Sequence, residues 1–225
     1  MGPREDEGTP GRPSAILGGR NCYYEPEDSN FTDVETDLEK EDQGSGHKLA
    51  VLVPYRDRFE ELMEFIPHMQ NFLKIQKIEH KIYVLNQVDS YRFNRAALIN
   101  VGFELSMLDG SDYIVMNDVD ILPLNQELSY EFPTKGPVHL AAPNLHPMYH
   151  FPQFLGAIVV LTRSQFKHID GMSNKYWGWG VEDDELYLRL THAGFNISRP
   201  ENISTGIHNT FRQVTENIVI NIFRK

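Results

Sequence analysis

Four consecutive acidic residues beside both tryptophans of the chain form the stretch with the clearest chemical potential. The sequence runs Trp177-Gly178-Trp179-Gly180-Val181 and continues Glu182-Asp183-Asp184-Glu185. Acids in a first helical turn complement the helix dipole by roughly a few tenths of a kcal/mol each, which accounts for one or two of them. Adjacent carboxylates repel unless they bind hydroxyls, a cation or donors, and tryptophan faces stack on sugars and bases. We therefore interpret residues 177–185 as a binding site.

A pair of aspartates, Asp118 and Asp120, is the second candidate group. The pair follows the apolar run Tyr113–Met116, which we predict to be a buried strand, and ligands of α/β sheets bind at the carboxyl ends of strands. Carboxylates are hard oxygen ligands. Together with phosphate oxygens of a substrate, they form a coordination shell that suits Mg²⁺ or Mn²⁺. Aspartyl-phosphate hydrolases also carry Asp-x-Asp after a strand, but they usually continue with Gly and Thr, whereas Ile121-Leu122-Pro123 follows here. We favour a cation site.

Cationic and aromatic side chains follow two further apolar runs. Pro54-Tyr55-Arg56-Asp57-Arg58 carries two arginines suited to a diphosphate or a base edge, although an ordinary solvated helix start explains this segment equally well. Arg92-Phe93-Asn94-Arg95 again combines an aromatic ring with cations. We interpret His146 and His150 as structural histidines, and Tyr149 as the better candidate, because a phenol can hydrogen-bond a phosphate and pack against a sugar.

The elements that must position these groups alternate between strand and helix in the first half of the chain. We predict strands at Leu49–Val53, Lys81–Asn86 and Tyr113–Met116, and helices at 58–74 and 93–108. Pro67 should kink or divide the first helix. This order indicates an α/β fold with a parallel sheet and right-handed crossovers, as in nucleotide-binding half-domains.

The second half is more mixed. It contains predicted strands at 138–142 and 155–161, a short helix at 163–169, the acidic helix closed near Gly194, and short strands near Ile197 and at 218–223.

Composition bounds the class of protein. The 225 residues, 40% of them hydrophobic, suffice for one sizeable core. Residues 1–47 contain 12 acids and 4 bases and so hold −8 of the net charge of −11. The remaining residues hold −3, so their charge does not favour a nucleic-acid binder. We interpret residues 1–46 as a disordered acidic tail and 47–225 as the folded domain. Cys22 is the single cysteine, which excludes an internal disulfide, and no apolar run reaches the length of a membrane span.

Three long motifs in order resemble the β-1,4-galactosyltransferase family: residues 93–103, Asp118-Val119-Asp120, and residues 177–184. Residues 84–89 and 145–149 are most similar to its xylosylprotein branch, which builds the proteoglycan linker. The resemblance implies a GT-A type nucleotide-sugar-binding fold with a mainly parallel central sheet. It also implies Mn²⁺ as cofactor and inverting transfer of galactose from UDP-galactose to the 4-hydroxyl of xylose on a proteoglycan core protein. Family members face the Golgi lumen from a membrane anchor, which we do not find in this sequence.

The resemblance also implies roles for individual residues. Asp183 would be the catalytic base and Asp120 the metal ligand. The acceptor would contact Trp179, Glu182, Asp183 and Asp184. The implied donor-binding residues are Pro54, Tyr55, Arg56, Arg58, Phe93, Asn94, Arg95, Val119, Asp120, Tyr149 and Trp179.

One departure from the family follows Thr210-Phe211-Arg212. The family continues with a His-x-His pair that completes the metal site, whereas this chain has Gln213-Val214-Thr215 and stops at Lys225. We therefore expect a domain truncated at its C-terminus. A working galactosyltransferase and a non-catalytic, UDP-binding or unstable fragment remain the two hypotheses.

Overall fold

The computed structural model describes residues 46–214. The predicted acidic tail, apart from its last residue, and the predicted strand at 218–223 lie outside these residues. The strands are β1 Lys48–Tyr55, β2 Glu79–Asn86, β3 Tyr113–Asn117, β4 Ile121–Pro123, β5 Val138–His139, β6 Ile158–Thr162 and β7 Phe211–Gln213. The helices are α1 Phe59–Ile75, α2 Arg95–Leu108, α3 Arg163–His168, α4 Glu182–His192 and α5 Gly206–Thr210.

Five strands form the central sheet in the order β2-β1-β3-β6-β5. β1 pairs in parallel with β2 and β3, as the alternation of strand and helix predicts, because each crossover contains one helix. β6 pairs antiparallel with β3 and with β5. A separate antiparallel pair joins β4 to β7, so the segment at 211–213 returns to the end of β3.

The core lies on both faces of the sheet. Alternate residues of a strand face opposite sides, so Leu49, Val51 and Val53 pack in the cluster that contains the buried side of α1. Ala50 and Leu52 pack in the other cluster, with the buried residues of α2, α3 and α4. Every residue from 49 to 53 is 0% exposed, which explains why β1 is a continuous apolar run.

The structure corrects several predicted boundaries. α1 is not divided at Pro67 but runs through it. The predicted strand at 155–161 begins only at Ile158, because Ala157 has φ +63, outside the strand region. β5 contains only two residues of the predicted 138–142, and near Ile197 there is one isolated bridge, between Val138 and Ser198.

The predicted helix at 93–108 begins at Arg95 because Asn94 caps it: the Asn94 side chain accepts a hydrogen bond from the Ala97 amide at 2.9 Å. Within residues 46–214, no helix combines the length and the apolar character that crossing a bilayer requires.

Candidate functional site

A cleft of about 1020 Å³ opens at the carboxyl ends of the three parallel strands. It is lined by residues from the ends of β1 and β3, from the segment before α2, from the loop at 146–157 and from the start of α4. The acidic stretch Glu182–Asp184 and the pair Asp118 and Asp120, the two candidate groups from the sequence, line the same cleft.

Most of the predicted donor-binding residues also line this cleft. These are Pro54, Arg56, Arg58, Phe93, Arg95, Val119, Asp120, Tyr149 and Trp179. Tyr55 and Asn94 do not line it. The Asn94 side chain caps α2 and donates to the Asn174 carbonyl at 2.8 Å, so its polar atoms fix the backbone around the site.

Arg95 connects the two acidic groups across the cleft. Its Nε donates to Asp118 Oδ1 at 2.7 Å and its Nη1 to Asp183 Oδ1 at 3.1 Å, and the residue is 9% exposed. Burial alone would lower the pKa of Arg95, but the two carboxylates outweigh burial and raise it. The guanidinium is therefore a fixed positive charge between the end of β3 and the start of α4.

Opposing effects act on the pKa of Asp183. Burial raises its pKa most, Arg95 lowers it, and the neighbouring carboxylates Asp118, Glu182 and Asp184 raise it further, to about 7. A carboxylate with a pKa near neutrality is suited to accept a proton from a hydroxyl.

Asp120 lies near a second ion pair. Burial and Asp118 raise its pKa to about 6, and Arg58 opposes them. Arg58 in turn donates to Oε1 of the buried Glu61, in the first turn of α1, at 2.7 Å. The cleft therefore contains both the carboxylate of Asp120 and the guanidinium of Arg58, whose charge favours the ionised carboxylate.

The start of α4 is held in an unusual backbone conformation. Val181, the N-cap residue, has φ +76, which is strained for a β-branched side chain. Ahead of it, Trp179 is 88% exposed, whereas Trp177 packs against Tyr91 at 5.8 Å between ring centroids. The Gly178 amide donates to the Phe93 carbonyl at 2.8 Å and so joins the tryptophan segment to the segment before α2.

The comparisons with known proteins agree with this geometry. Residues 27–133 match a family model described as the N-terminal region of glycosyl transferase group 7, and residues 136–214 match one described as the N-terminal domain of galactosyltransferase. The crystal structure of the catalytic domain of Drosophila β-1,4-galactosyltransferase 7 in complex with xylobiose is 56% identical, with a TM-score of 0.74, over 76% of this chain and 71% of that one. This chain belongs to the β-1,4-galactosyltransferase family.

Two curated relatives indicate the branch of the β-1,4-galactosyltransferase family. β-1,4-Galactosyltransferase 7 of Drosophila melanogaster is 57% identical over 171 residues, which are 76% of this chain and 53% of the relative. Xylosylprotein 4-β-galactosyltransferase of Caenorhabditis elegans is 53% identical over 173 residues, 76% of this chain and 60% of the relative. The chain thus spans little more than half the length of these relatives. A mutant of the Drosophila enzyme, in complex with manganese, UDP-Gal and xylobiose, superposes with the same TM-score of 0.74.

This chain of the β-1,4-galactosyltransferase family offers few side chains that could bind a cation. Among residues 46–214, no group of three or more His, Cys, Asp or Glu side chains is arranged to hold a metal ion. His208 is exposed and does not line the cleft, whereas Gln213, directly after Thr210-Phe211-Arg212, does. Asp120 and the amide oxygen of Gln213 are hard oxygen ligands. They fit a cation that takes much of its coordination from a phosphate-bearing substrate.

Several residues of the cleft were not predicted as site residues. Phe151 and Phe154 line it, and so does His146. The His146 Nδ1 accepts from the Met148 and Tyr149 amides at 3.0 and 3.1 Å, and burial lowers its pKa to about 4. His146 is thus neutral and holds the backbone at Tyr149, in agreement with its interpretation as a structural histidine. Phe151 and Phe154 could have been predicted from the sequence, because they follow closely after Tyr149, a predicted site residue.

Proposed function

We propose that this chain catalyses inverting transfer of galactose from UDP-galactose to the 4-hydroxyl of xylose on a proteoglycan core protein. The observation that carries the proposal is the shared cleft, in which Arg95 joins the acids of α4 to the aspartate at the end of β3. Such a cleft offers cations to a departing diphosphate on one side and carboxylates to an incoming hydroxyl on the other. Two relatives support this choice of substrates: one is named a xylosylprotein 4-β-galactosyltransferase, and the other was solved in complex with UDP-Gal and xylobiose.

The donor side is formed by residues that follow β1, β2 and β3. Arg56 lies over the Phe93 ring at 5.4 Å and donates to the Tyr91 carbonyl at 2.7 Å, so its guanidinium is held beside an aromatic face. Arg58 contributes a second cation. We assign the nucleotide and its diphosphate to this side, with Val119 and Tyr149 as further contacts.

The acceptor side is formed by the start of α4. Trp179 presents an exposed indole on which a sugar ring can stack, and Glu182 and Asp184 offer carboxylate acceptors to its hydroxyls. Asp183 accepts the proton of the attacking 4-hydroxyl as the oxygen bonds to the anomeric carbon of galactose. The bond from that carbon to UDP breaks in the same displacement, which inverts the configuration without a covalent intermediate.

The cofactor of the proposed reaction is Mn²⁺. Asp120 would hold it, with Gln213, the donor diphosphate and water as the remaining ligands. When bound, the ion stabilises the negative charge of the departing diphosphate. We further propose that the protein works in the Golgi lumen, where it meets xylosylated core proteins.

A second function is supported by the small number of metal-binding side chains near Asp120. With no group of three metal-binding side chains among the described residues, the chain would bind UDP without catalysing transfer. Calorimetry of UDP binding with and without Mn²⁺, followed by transfer to a β-xyloside, distinguishes the two. The first function predicts tighter UDP binding with Mn²⁺ and galactosylated product. UDP affinity that ignores Mn²⁺, with no product, would leave only the second.

A further inference from the structure

A buried chain of polar side chains ends at the turn that carries both aspartates of the cleft. Asn117 is the last residue of β3 and is 0% exposed. Its Nδ2 donates to the Asp118 carbonyl at 3.0 Å and to the Ile121 carbonyl at 3.3 Å. The Ile121 amide donates to the same Asp118 carbonyl, so residues 118–121 form a turn with the Asn117 amide bound to both of its ends.

Tyr130 fixes the orientation of that amide. Its hydroxyl donates to Asn117 Oδ1 at 3.1 Å, and Tyr130 is itself 0% exposed. The Asp118 and Ile121 carbonyls can only accept, so the amide nitrogen must face the turn, and the amide oxygen is held by the Tyr130 hydroxyl. The Tyr130 backbone is held in turn: the Tyr113 hydroxyl donates to its carbonyl at 3.0 Å, and its amide donates to Gln76 Oε1 at 3.0 Å.

Buried polar groups of this kind need a reason to be present. An amide and a phenol in an apolar core are costly unless every polar atom is bonded, and leucine or phenylalanine would fill the same volume without that requirement. The hydrogen bonds of this network fix the backbone conformation of the turn 118–121. From that turn, Asp118 reaches Arg95, which reaches Asp183, while Asp120 lines the cleft.

We propose that Asn117 and Tyr130 are positioning residues that fix the turn 118–121 and, through it, both sides of the cleft. The roles of Asp120 and Asp183 rest on the proposed function, whereas the link from Tyr130 to the turn does not. The network acts on Asp120 through the backbone and on Asp183 through the Asp118–Arg95 ion pairs. Loss of the Tyr130 hydroxyl should therefore be detected at Arg95 and in ligand binding, in addition to stability.

The variant that tests this is Tyr130→Phe, which removes one hydroxyl and keeps the ring. Two controls match it. Tyr83→Phe removes a hydroxyl that donates to Asp109 at the exposed edge of the sheet, at 2.6 Å. Phe103→Leu destabilises the buried cluster on the opposite face of the sheet, where Phe103 packs against Phe166. The second control measures what a loss of stability alone does to each readout.

The first readout is independent of activity: the ¹⁵N–¹H resonance of Arg95 Nε, which reports the ion pair with Asp118. We expect Tyr130→Phe to shift this resonance or to speed its exchange with solvent, and both controls to leave it unchanged. An Arg95 resonance that Tyr130→Phe leaves at its wild-type position and exchange rate would overturn the proposal. So would an equal shift in Phe103→Leu, because the effect would then follow stability rather than position.

The second readout is the UDP affinity with and without Mn²⁺. Residues that orient a metal ligand typically affect metal-linked affinity by about tenfold or more. We expect Tyr130→Phe to weaken UDP binding roughly tenfold in the presence of Mn²⁺ and to leave it unchanged without the ion. A wild-type chain without any Mn²⁺ effect would contradict the proposed function, and the Arg95 resonance would then decide the positioning role alone. An unchanged Mn²⁺-dependent affinity in Tyr130→Phe would contradict the link to Asp120.

Discussion

At the scale of single residues, the proposed transfer depends on the pKa of Asp183. Burial and three neighbouring carboxylates raise its pKa, and Arg95 opposes them, which leaves it at about 7. Without Arg95 the carboxylate would remain protonated at neutral pH, and without burial it would be too weak a base. The ion pair with Arg95 also orients one carboxylate oxygen, because Nη1 donates to Oδ1 at 3.1 Å.

Replacing Asp183 by Asn should abolish transfer and leave UDP binding near normal. The amide keeps the size of the side chain and a hydrogen-bond acceptor for Arg95, but it cannot accept a proton. Steady-state transfer to a β-xyloside and calorimetry with UDP measure the two effects separately. Asp170→Asn, at an exposed position with φ +56 that suits Asn, is the control and should behave as the wild type. Equal loss of both properties in Asp183→Asn would refute the role as base.

The rate of transfer should rise with pH through about 7, the pKa of Asp183. The base works only when it is deprotonated, so kcat/KM should fall roughly tenfold for each pH unit below that value. A pH profile of kcat/KM between pH 5.5 and 8.5 measures this. A profile that is flat across this interval would mean that another group accepts the proton.

At the scale of elements, the cleft is formed by the ends of strands and by the turns that follow them. Gly156, two residues before β6, lies close to Asp183. A Cβ on Gly156 would lie 2.6 Å from Asp183 Oδ2 and 2.6 Å from Phe154 Cε2, closer than real Cβ contacts allow. Glycine at this position is therefore what permits the Asp183 carboxylate to lie against the backbone.

Gly156→Ala should displace Asp183 and reduce transfer far more than UDP binding. A misplacement of about 1 Å in a reacting group can cost on the order of a hundredfold in rate. Gly46→Ala is the matched control, since nothing lies within 4 Å of its Cβ position. Transfer and UDP affinity of both variants test this, and a Gly156→Ala variant with wild-type turnover would show that the carboxylate has room to move.

Sequence reasoning predicted the helices and the apolar strands of the first half, and the short helix α3, but it missed the short strands β4 and β7. β1 and β3 are apolar runs and β2 contains one at 82–85, and the parallel order of the three strands already brings Asp120 to the edge where ligands bind. β4 and β7 have three residues each, too few for any period, so their pairing could not be predicted.

Contacts across the chain were equally hidden from the sequence. The ion pair of Arg95 with Asp183 joins residues 88 positions apart, and the bond from Tyr130 to Asn117 depends on the shape of a loop. Neither has a local pattern. Most of the residues that the family resemblance predicted line the cleft, but the resemblance did not indicate how Arg95 connects them.

At the scale of the whole molecule, the core contains a histidine that must stay neutral. His139 is 0% exposed, its Nε2 lies 3.0 Å from the Gly156 carbonyl, and its Nδ1 has no partner. Burial lowers its pKa to about 3. The unfolded chain binds the proton more readily, so the stability that neutral His139 allows is fully present above pH 6.5 and is lost as the pH falls towards 3.

His139 should therefore lower the free energy of unfolding as the pH falls below 6.5, by up to about 1.4 kcal/mol per pH unit, whereas the raised pKa values of Asp120 and Asp183 act in the opposite direction. His139→Asn removes this contribution, so its free energy of unfolding should fall less, or rise more, than that of the wild type between pH 6.5 and 4.5, whatever its stability at pH 7. His208→Gln, at an exposed position, should keep the wild-type slope. Urea unfolding across this pH range measures all three, and an unchanged slope in His139→Asn would contradict the assignment.

The central claim is that one cleft brings a UDP-linked galactose to the 4-hydroxyl of a xylose. The most direct measurement is an NMR analysis of the product formed from UDP-galactose, Mn²⁺ and a β-xyloside. We predict a galactose joined to O4 of the xylose with the β configuration, and no such product with Asp183→Asn. Absence of this product from the wild-type chain, or a galactose in the α configuration, would contradict the claim.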